Sequence, residues 1–194
     1  MADTKKTILQ LYRKEVEDDA RKGTDYLFHN KGNDHALIIC SNIFKNAKRE
    51  IRIAANQLYN DEVVNTQEYI DSMKDFLDKE GTMLKILITT PPPIGKVKMD
   101  NTFYGMLYKH PAYHQNRIQI KDGKGSSFRG VDGTPVNFCT ADDKMYRYET
   151  DIVERKAVAN FGDSGRAKML RESFDKIYEQ EKYTSNVDLY NYFR

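Results

Sequence analysis

Apolar residues recur at intervals of three and four positions in several segments of the chain, and this spacing predicts amphipathic helices. Those segments cover residues 5–21, 35–48, 66–80 and 164–182. Two short, mostly apolar stretches, residues 51–55 and 83–88, predict buried strands. Because a predicted helix lies between the two runs, we expect parallel strands joined by a crossover connection.

The second half of the chain carries shorter patterns. Residues 136–141 and 145–149 flank a polar turn and predict a hairpin, while residues 117–120 and 157–161 predict two more strands. From this order we predict an α/β fold with a mixed, largely parallel central sheet flanked by helices. The predicted sections are an N-terminal helix and connector (1–33), an α/β domain (34–182) and an aromatic C-terminal tail (183–194).

Polar side chains follow each of the first two predicted strands. Asn56 and Gln57 come after the first strand, and Thr89 and Thr90 come after the second. Open α/β sheets bind ligands beyond the carboxyl ends of their strands. We therefore predict that these residues line a binding cleft.

Charge and hydropathy restrict the partners and the compartment. The chain has 31 basic and 29 acidic residues, so its net charge of +2 does not indicate nucleic-acid binding through bulk electrostatics. Its apolar runs are far shorter than the ~20 residues of a membrane-spanning helix, and no secretory signal pattern opens the sequence. We expect a cytoplasmic protein without membrane contact, in which Cys40 and Cys139 are buried, reduced thiols.

Two stretches carry a recognisable pattern. The first, residues 36–55, reads Ala-Leu-Ile-Ile-Cys-Ser-Asn-Ile-Phe-Lys-Asn-Ala-Lys-Arg-Glu-Ile-Arg-Ile-Ala-Ala. The second, residues 134–149, reads Thr-Pro-Val-Asn-Phe-Cys-Thr-Ala-Asp-Asp-Lys-Met-Tyr-Arg-Tyr-Glu, and Ala-Asn-Phe-Gly-Asp follows it. Together they resemble a half-unit of the phospholipase D-like superfamily over residues 34–182.

The resemblance implies a degenerate motif. The family pattern is His-x-Lys-x4-Asp, and the register places Pro135, Asn137 and Asp142 at these positions. In the family the histidine attacks phosphorus or donates a proton, the lysine neutralises phosphate charge, and the aspartate belongs to the structural frame. Proline has no nucleophile or transferable proton, and asparagine has no positive charge. We therefore predict no catalytic residue of the family type, and no cofactor.

Partners follow from the same resemblance. Family nucleases built from one half-unit dimerise, which implies a homodimer, and we expect it to form across an edge carrying residues 136–149. The predicted function is an inactive binding or regulatory domain for a protein, a nucleotide or a nucleic acid. A protein partner could dock on the aromatic tail or on the N-terminal helix.

Seven residues are candidates for ligand binding: Asn56, Gln57, Thr89, Thr90, Asn137, Arg147 and Asn160. Arg147 suits phosphate recognition because a guanidinium can donate two parallel hydrogen bonds, although a solvated strand face would also explain it. A glycine-rich loop adds basic and aromatic contact candidates, or is simply a mobile solvated loop. The loop candidates are Lys121, Lys124, Phe128 and Arg129.

Two alternative functions remain open. The first is a nuclease or phosphodiesterase with a nonstandard active site that uses His35 or His114. The second is a structural assembly module. A metal site is not expected, because Pro111 interrupts the helix that would align His110 with His114.

Overall fold

The computed structural model of the protein describes residues 2–59, 61–126 and 128–194. The helices within these ranges are α1 (Ala2–Lys22), α2 (Asn33–Asn46), α3 (Gln67–Leu77), α4 (Phe103–Lys109), α5 (Pro111–His114) and α6 (Ser164–Tyr178). The strands are β1 (Phe28–Asn30), β2 (Glu50–Ala55), β3 (Met83–Ile88), β4 (Ile118–Asp122), β5 (Asn137–Ala141), β6 (Met145–Asp151), β7 (Lys156–Asn160) and β8 (Ser185–Asn186). A 3₁₀ helix spans Leu189–Tyr192.

The four amphipathic helices form where the spacing predicts them, and local chemistry sets their ends. Thr66 caps α3 by accepting a hydrogen bond from the backbone N–H of Tyr69 at 3.3 Å. This helix ends at Leu77 rather than at residue 80. Gly32 is the N-cap of α2 and supplies no side-chain hydrogen bond.

All eight strands form one mixed sheet in the order β1-β7-β6-β5-β2-β3-β4-β8. Only the pairs β2–β3 and β3–β4 are parallel. The other pairs are antiparallel, so the expectation of a largely parallel sheet was wrong. The physical reason is connectivity: tight turns join β5 to β6 and β6 to β7, and a tight turn brings strands together antiparallel.

Short strands close both edges of the sheet. The segment 23–33, predicted as a connector, contributes β1, whose Phe28 pairs with Ala159 of β7. At the other edge β8 pairs with β4, and the tail behind it buries Leu189 completely. The aromatic tail therefore docks on its own domain.

The hairpin β5–β6 lies inside the sheet, between β7 and β2. Both outer sides of the hairpin are already hydrogen-bonded to neighbouring strands. It offers no free edge, so the expectation that residues 136–149 form an edge of the sheet was wrong. The homodimer itself stays a prediction.

Helices cover both faces of the sheet. On one face, α2 and α3 pack residues such as Phe44 and Met73 against β2 and β3. On the other face, α6 packs Leu170 and Phe174 against Phe138 of β5. Cys40 and Cys139 are both buried and unpaired by any disulfide, as the sequence predicts.

Candidate functional site

A network of hydrogen bonds joins the carboxyl ends of β2 and β3. The side-chain oxygen of Asn56 accepts hydrogen bonds from the hydroxyls of Thr89 at 3.0 Å and Thr90 at 2.8 Å. The backbone carbonyl of Asn56 also accepts from the backbone N–H of Thr90 at 2.8 Å. These contacts fix the three polar side chains at one end of the sheet, as expected for parallel neighbours.

Asn137 links this network to the hairpin. Its side-chain oxygen accepts from the backbone N–H of Asn56 at 2.9 Å, and its amide donates to Oε2 of Glu149 at 2.8 Å. Asn137 is thus a neutral bridge between the end of β2 and β6.

These side chains line a surface cleft of about 320 Å³. Its polar lining comes from Asn56, Thr89, Thr90 and Asn137. Its remaining walls are Ala55, Leu87, Gly125, Phe128, Pro135, Val136 and Ile152. No charged side chain and no histidine is among the described residues that line it. The cleft therefore offers amide and hydroxyl hydrogen bonds beside apolar surface.

Arg147 lies beneath the cleft, on the face of the sheet that α2 covers. It is 7% exposed, and its Nη2 donates to Oε1 of Glu149 at 3.0 Å. Burial disfavours the charged guanidinium, but neighbouring Cys40 and Glu149 more than offset this, so the pKa of Arg147 stays above its usual value. Arg147 is neither on a solvated strand face nor at the cleft surface.

A second, smaller cavity of about 70 Å³ adjoins Arg147, and we call it the lower cavity. Gln57 lines the lower cavity rather than the cleft. Asp61 and Arg155 also line it and form an ion pair at 2.6 Å. These two residues lie far apart in the chain, and no sequence pattern singled them out.

Asn160 lies apart from the other candidates. It pairs with Tyr146, so it belongs to the face of the sheet opposite Arg147. Its side-chain oxygen accepts from the backbone N–H groups of Gly162 at 2.7 Å and Asp163 at 2.9 Å, and its amide donates to Asp25 at 2.8 Å. It holds the turn that leads into α6.

Asp142 lies at the end of β5 remote from the cleft. Its carboxylate accepts hydrogen bonds from the backbone N–H groups of Lys48, Arg49 and Glu50 at 2.9, 2.9 and 3.1 Å. It therefore holds the start of β2 against the hairpin turn. The contacts of Asp142 are therefore structural.

The four loop candidates divide into separate environments. Lys121 belongs to β4, where its Nζ donates to the carbonyl of Tyr178 at 2.8 Å. Phe128 lines the cleft and packs edge-on against Phe138 with ring centroids 4.8 Å apart. Lys124 and Arg129 are exposed.

The two histidines considered as alternative catalysts lie in aromatic surroundings away from the cleft. His35 stacks on Tyr12 with ring centroids 4.2 Å apart, and His114 packs beside Tyr113. Neither lines the cleft. In the part of the chain that the structure describes, no three His, Cys, Asp or Glu side chains converge into a set that could hold a metal ion.

No protein-family model matches the sequence, and no curated protein matches it. Solved structures nevertheless share its fold. The archaeal chromatin protein TrmBL2, whose structure shows a novel mode of DNA binding, is 14% identical with a TM-score of 0.56. That alignment covers 96% of this chain and 63% of TrmBL2, so the chain spans less than two thirds of that protein.

Phospholipase D family proteins also share the fold of this chain, with slightly lower TM-scores. Nuc from Salmonella typhimurium is 12% identical with a TM-score of 0.53, over 84% of this chain and 99% of Nuc. The phosphatidylserine synthase of Haemophilus influenzae Rd KW20 is 11% identical with a TM-score of 0.53, over 87% of this chain and 41% of the synthase. The chain thus has a phospholipase D-like fold. Within its described residues, no helix combines the length and apolarity that crossing a bilayer requires.

Proposed function

We propose that this domain binds an uncharged polar small molecule in the cleft and does not hydrolyse phosphodiesters. The observation that carries the proposal is the lining of the cleft, where Asn56, Thr89, Thr90 and Asn137 meet without a charged side chain. This lining lies at the strand ends, where folds of this type place their ligands.

The absence of catalysis follows from the chemistry of the lining. Phosphodiester cleavage of the family type needs a nucleophile, a proton donor and positive charge near the phosphate. Pro135 and Asn137 supply none of these. The threonine hydroxyls have no base beside them, since both donate to the amide oxygen of Asn56.

The electrostatics favour a neutral ligand over the anionic ligand expected from the sequence. Arg147, the expected anchor for phosphate, is buried and bonded to Glu149, so its charge is already compensated. By contrast, the hydroxyl oxygens of Thr89 and Thr90 keep acceptor capacity, and the amide of Asn56 adds a donor. A ligand with hydroxyl or amide groups matches this set.

Nucleic acid is a second candidate partner. TrmBL2 binds DNA, and the loop beside the cleft exposes Lys124 and Arg129. Two exposed cations contribute little to affinity at physiological salt, because each phosphate contact is weakened by counterions. A protein partner on α1, where Ile8 and Leu11 are exposed, likewise stays a proposal.

The catalytic part of the proposal is tested with bis-p-nitrophenyl phosphate and with single-stranded DNA and RNA, with and without a chelator. We expect no turnover above the uncatalysed rate. Turnover that co-purifies with the protein and disappears in the Asn137→Ala variant would contradict the proposal.

The binding part is tested by thermal shift against a panel of neutral polyols and amides, matched phosphate esters and short oligonucleotides. We expect stabilisation by neutral compounds and a loss of about tenfold in affinity in Thr90→Val, which removes a hydroxyl from the cleft. Thr150→Val, which removes an exposed hydroxyl on β6, is the matched control. Stabilisation by phosphates or oligonucleotides alone would refute the neutral-ligand assignment.

A further inference from the structure

The polar side chains of the cleft form one connected group. Asn56, Thr89 and Thr90 are joined to one another by hydrogen bonds, and Asn137 is joined to the backbone of Asn56. The other described residues of the lining are apolar. A ligand that fits the cleft therefore needs hydrogen-bonding groups on one edge and an apolar remainder.

The free atoms of this polar group decide which edge fits. The side-chain oxygen of Asn56 already accepts hydrogen bonds from both threonine hydroxyls, whereas its amide nitrogen donates to no described residue. Each threonine oxygen has used its proton but can still accept. Asn56 and Thr90 are exposed, so a ligand can reach them. The matching edge carries an acceptor for the Asn56 amide beside a donor for a threonine oxygen.

Phe128 adds an aromatic ring to the apolar part of the lining. The side chain is partly exposed, and its ring is held edge-on against Phe138 at 4.8 Å and parallel to Phe174 at 6.3 Å, measured between centroids. A ring held in this way is a platform for stacking a planar ligand. The volume of about 320 Å³ lies at the lower end of ligand pockets, about 300–1,000 Å³, and suits one small ring system.

A polyol matches the same lining less well. A sugar carries hydroxyl groups around its whole rim, so in this cleft it would bury some of them against apolar residues such as Val136 and Ile152. A buried hydroxyl without a partner weakens binding. A planar ring with its polar groups on one edge avoids this cost.

We propose that the ligand is a neutral planar heterocycle with a lactam edge. Its carbonyl accepts a hydrogen bond from the amide of Asn56, its N–H donates to a threonine oxygen, and its ring stacks on Phe128. Oxo-pyrimidines and oxo-purines, free or as nucleosides, belong to this chemical class. The inference rests on the proposed function, because it names the class of ligand for the same cleft.

The test compares two ligands that differ at the edge. 1-Methyluracil keeps an N–H between two carbonyl groups, and 1,3-dimethyluracil has the same ring without an N–H. Ligands of this size bind at about millimolar concentration, and the side-chain amide signal of Asn56 in ¹⁵N-correlated NMR spectra of the full chain reports the contact. We expect 1-methyluracil to shift this signal saturably and 1,3-dimethyluracil to bind about tenfold more weakly or worse.

Two variants test the contacts from the protein side. Phe128→Leu keeps an apolar side chain but removes the ring and should weaken binding of 1-methyluracil about tenfold. Phe193→Leu, at a partly buried phenylalanine of the tail outside the cleft, is the matched control. If Phe128→Leu does not fold, Asn56→Asp serves instead. It retains the acceptor for both threonine hydroxyls but loses the free donor, so it should abolish binding, and thermal unfolding checks that it is folded.

The outcomes separate this inference from the proposed function. Equal affinity for the two uracils, or equal losses in Phe128→Leu and Phe193→Leu, would overturn the inference. Binding of polyols or acyclic amides without binding of 1-methyluracil would overturn the inference and leave the proposed function standing. Binding of phosphate esters alone would refute both.

A further comparison identifies the source of the heterocycle. We expect uridine to bind at least as tightly as each base of a short oligouridylate, because the lining of the cleft contains no charged side chain for a phosphate. Tighter binding per base of the oligonucleotide would place the lactam edge in a nucleic-acid chain and overturn the assignment to a free small molecule.

Discussion

Replacing Asn137 by aspartate tests the bridge between the cleft and the buried ion pair. The variant keeps the shape of the side chain but replaces a donor to Glu149 by a second carboxylate. Two carboxylates at the present 2.8 Å would repel each other by about 6 kcal/mol at an effective dielectric constant near 20. Keeping one carboxyl protonated at pH 7 costs only about 4 kcal/mol, because the pKa of a free aspartate is about 3.9. The engineered pair should therefore take up a proton and restore the hydrogen bond.

Linkage then sets the dependence on pH. The folded pKa of the pair is raised above the unfolded value, so the variant should match the wild type below about pH 4 and lose stability as the pH rises. The loss should grow by about 1.4 kcal/mol per pH unit, from about 1.5 kcal/mol at pH 5 to about 4 kcal/mol at pH 7.

Urea denaturation at several pH values measures this difference. Asn191→Asp, at an exposed asparagine of the tail, is the control and should show no such slope. A difference in unfolding free energy between Asn137→Asp and the wild type that stays constant from pH 5 to pH 7 would refute the buried bridge.

Three further predictions concern stability and reactivity. Asp142→Ala should lower the free energy of unfolding by about 2–4 kcal/mol in urea denaturation, because it removes three backbone contacts. Asp143→Ala removes only the ion pairs of an exposed carboxylate with Arg49 and Arg171 and should cost less than about 1 kcal/mol. Equal effects would contradict the assigned role. Cys40 and Cys139 should resist thiol reagents in the native protein and react after unfolding, as mass spectrometry would show; rapid native labelling would disprove their burial. Leu189→Ala should cost about 2–4 kcal/mol, since this tail residue is fully buried, and a negligible loss would mean that the tail is not docked.

The local parts of the fold follow from the sequence. Strand β3 has the predicted bounds of Met83–Ile88, because a mostly apolar stretch, interrupted only by Lys85, is flanked by threonines. The strand-end rule indicates which side chains meet, and in the structure Thr89 and Thr90 do bond to Asn56. The bounds of β3 depend on residues that are neighbours in sequence, and the contacts with Asn56 depend on the one crossover connection from β2 to β3.

The remaining features depend on contacts between distant segments. β1 has only three residues with exposed His29 between two buried ones, and its partner β7 lies far along the chain. Pairing of β2 with β5 joins the parallel strands to the antiparallel strands, and hydropathy does not encode it. Arg147 looks solvated in sequence because the pattern of its own strand does not show that α2 covers this face of the hairpin. The register between β6 and β7 places Asn160 on the other face.

The pairing of β2 with β5 has a further consequence for native-state fluctuations. It is the boundary between the parallel strands β2–β4 and the antiparallel strands β5–β7. Asn56, Thr89 and Thr90 line the cleft on the parallel side of this boundary, and Asn137 lines it on the antiparallel side. A bound ligand would stabilise the pairing of β2 with β5, because any opening that separates these two strands also separates the residues of the site. Amide hydrogens along β2 and β5 would then exchange more slowly as ligand concentration rises. Amide hydrogens between β3 and β4 would exchange more slowly only if their exchange requires an opening that also separates β2 from β5.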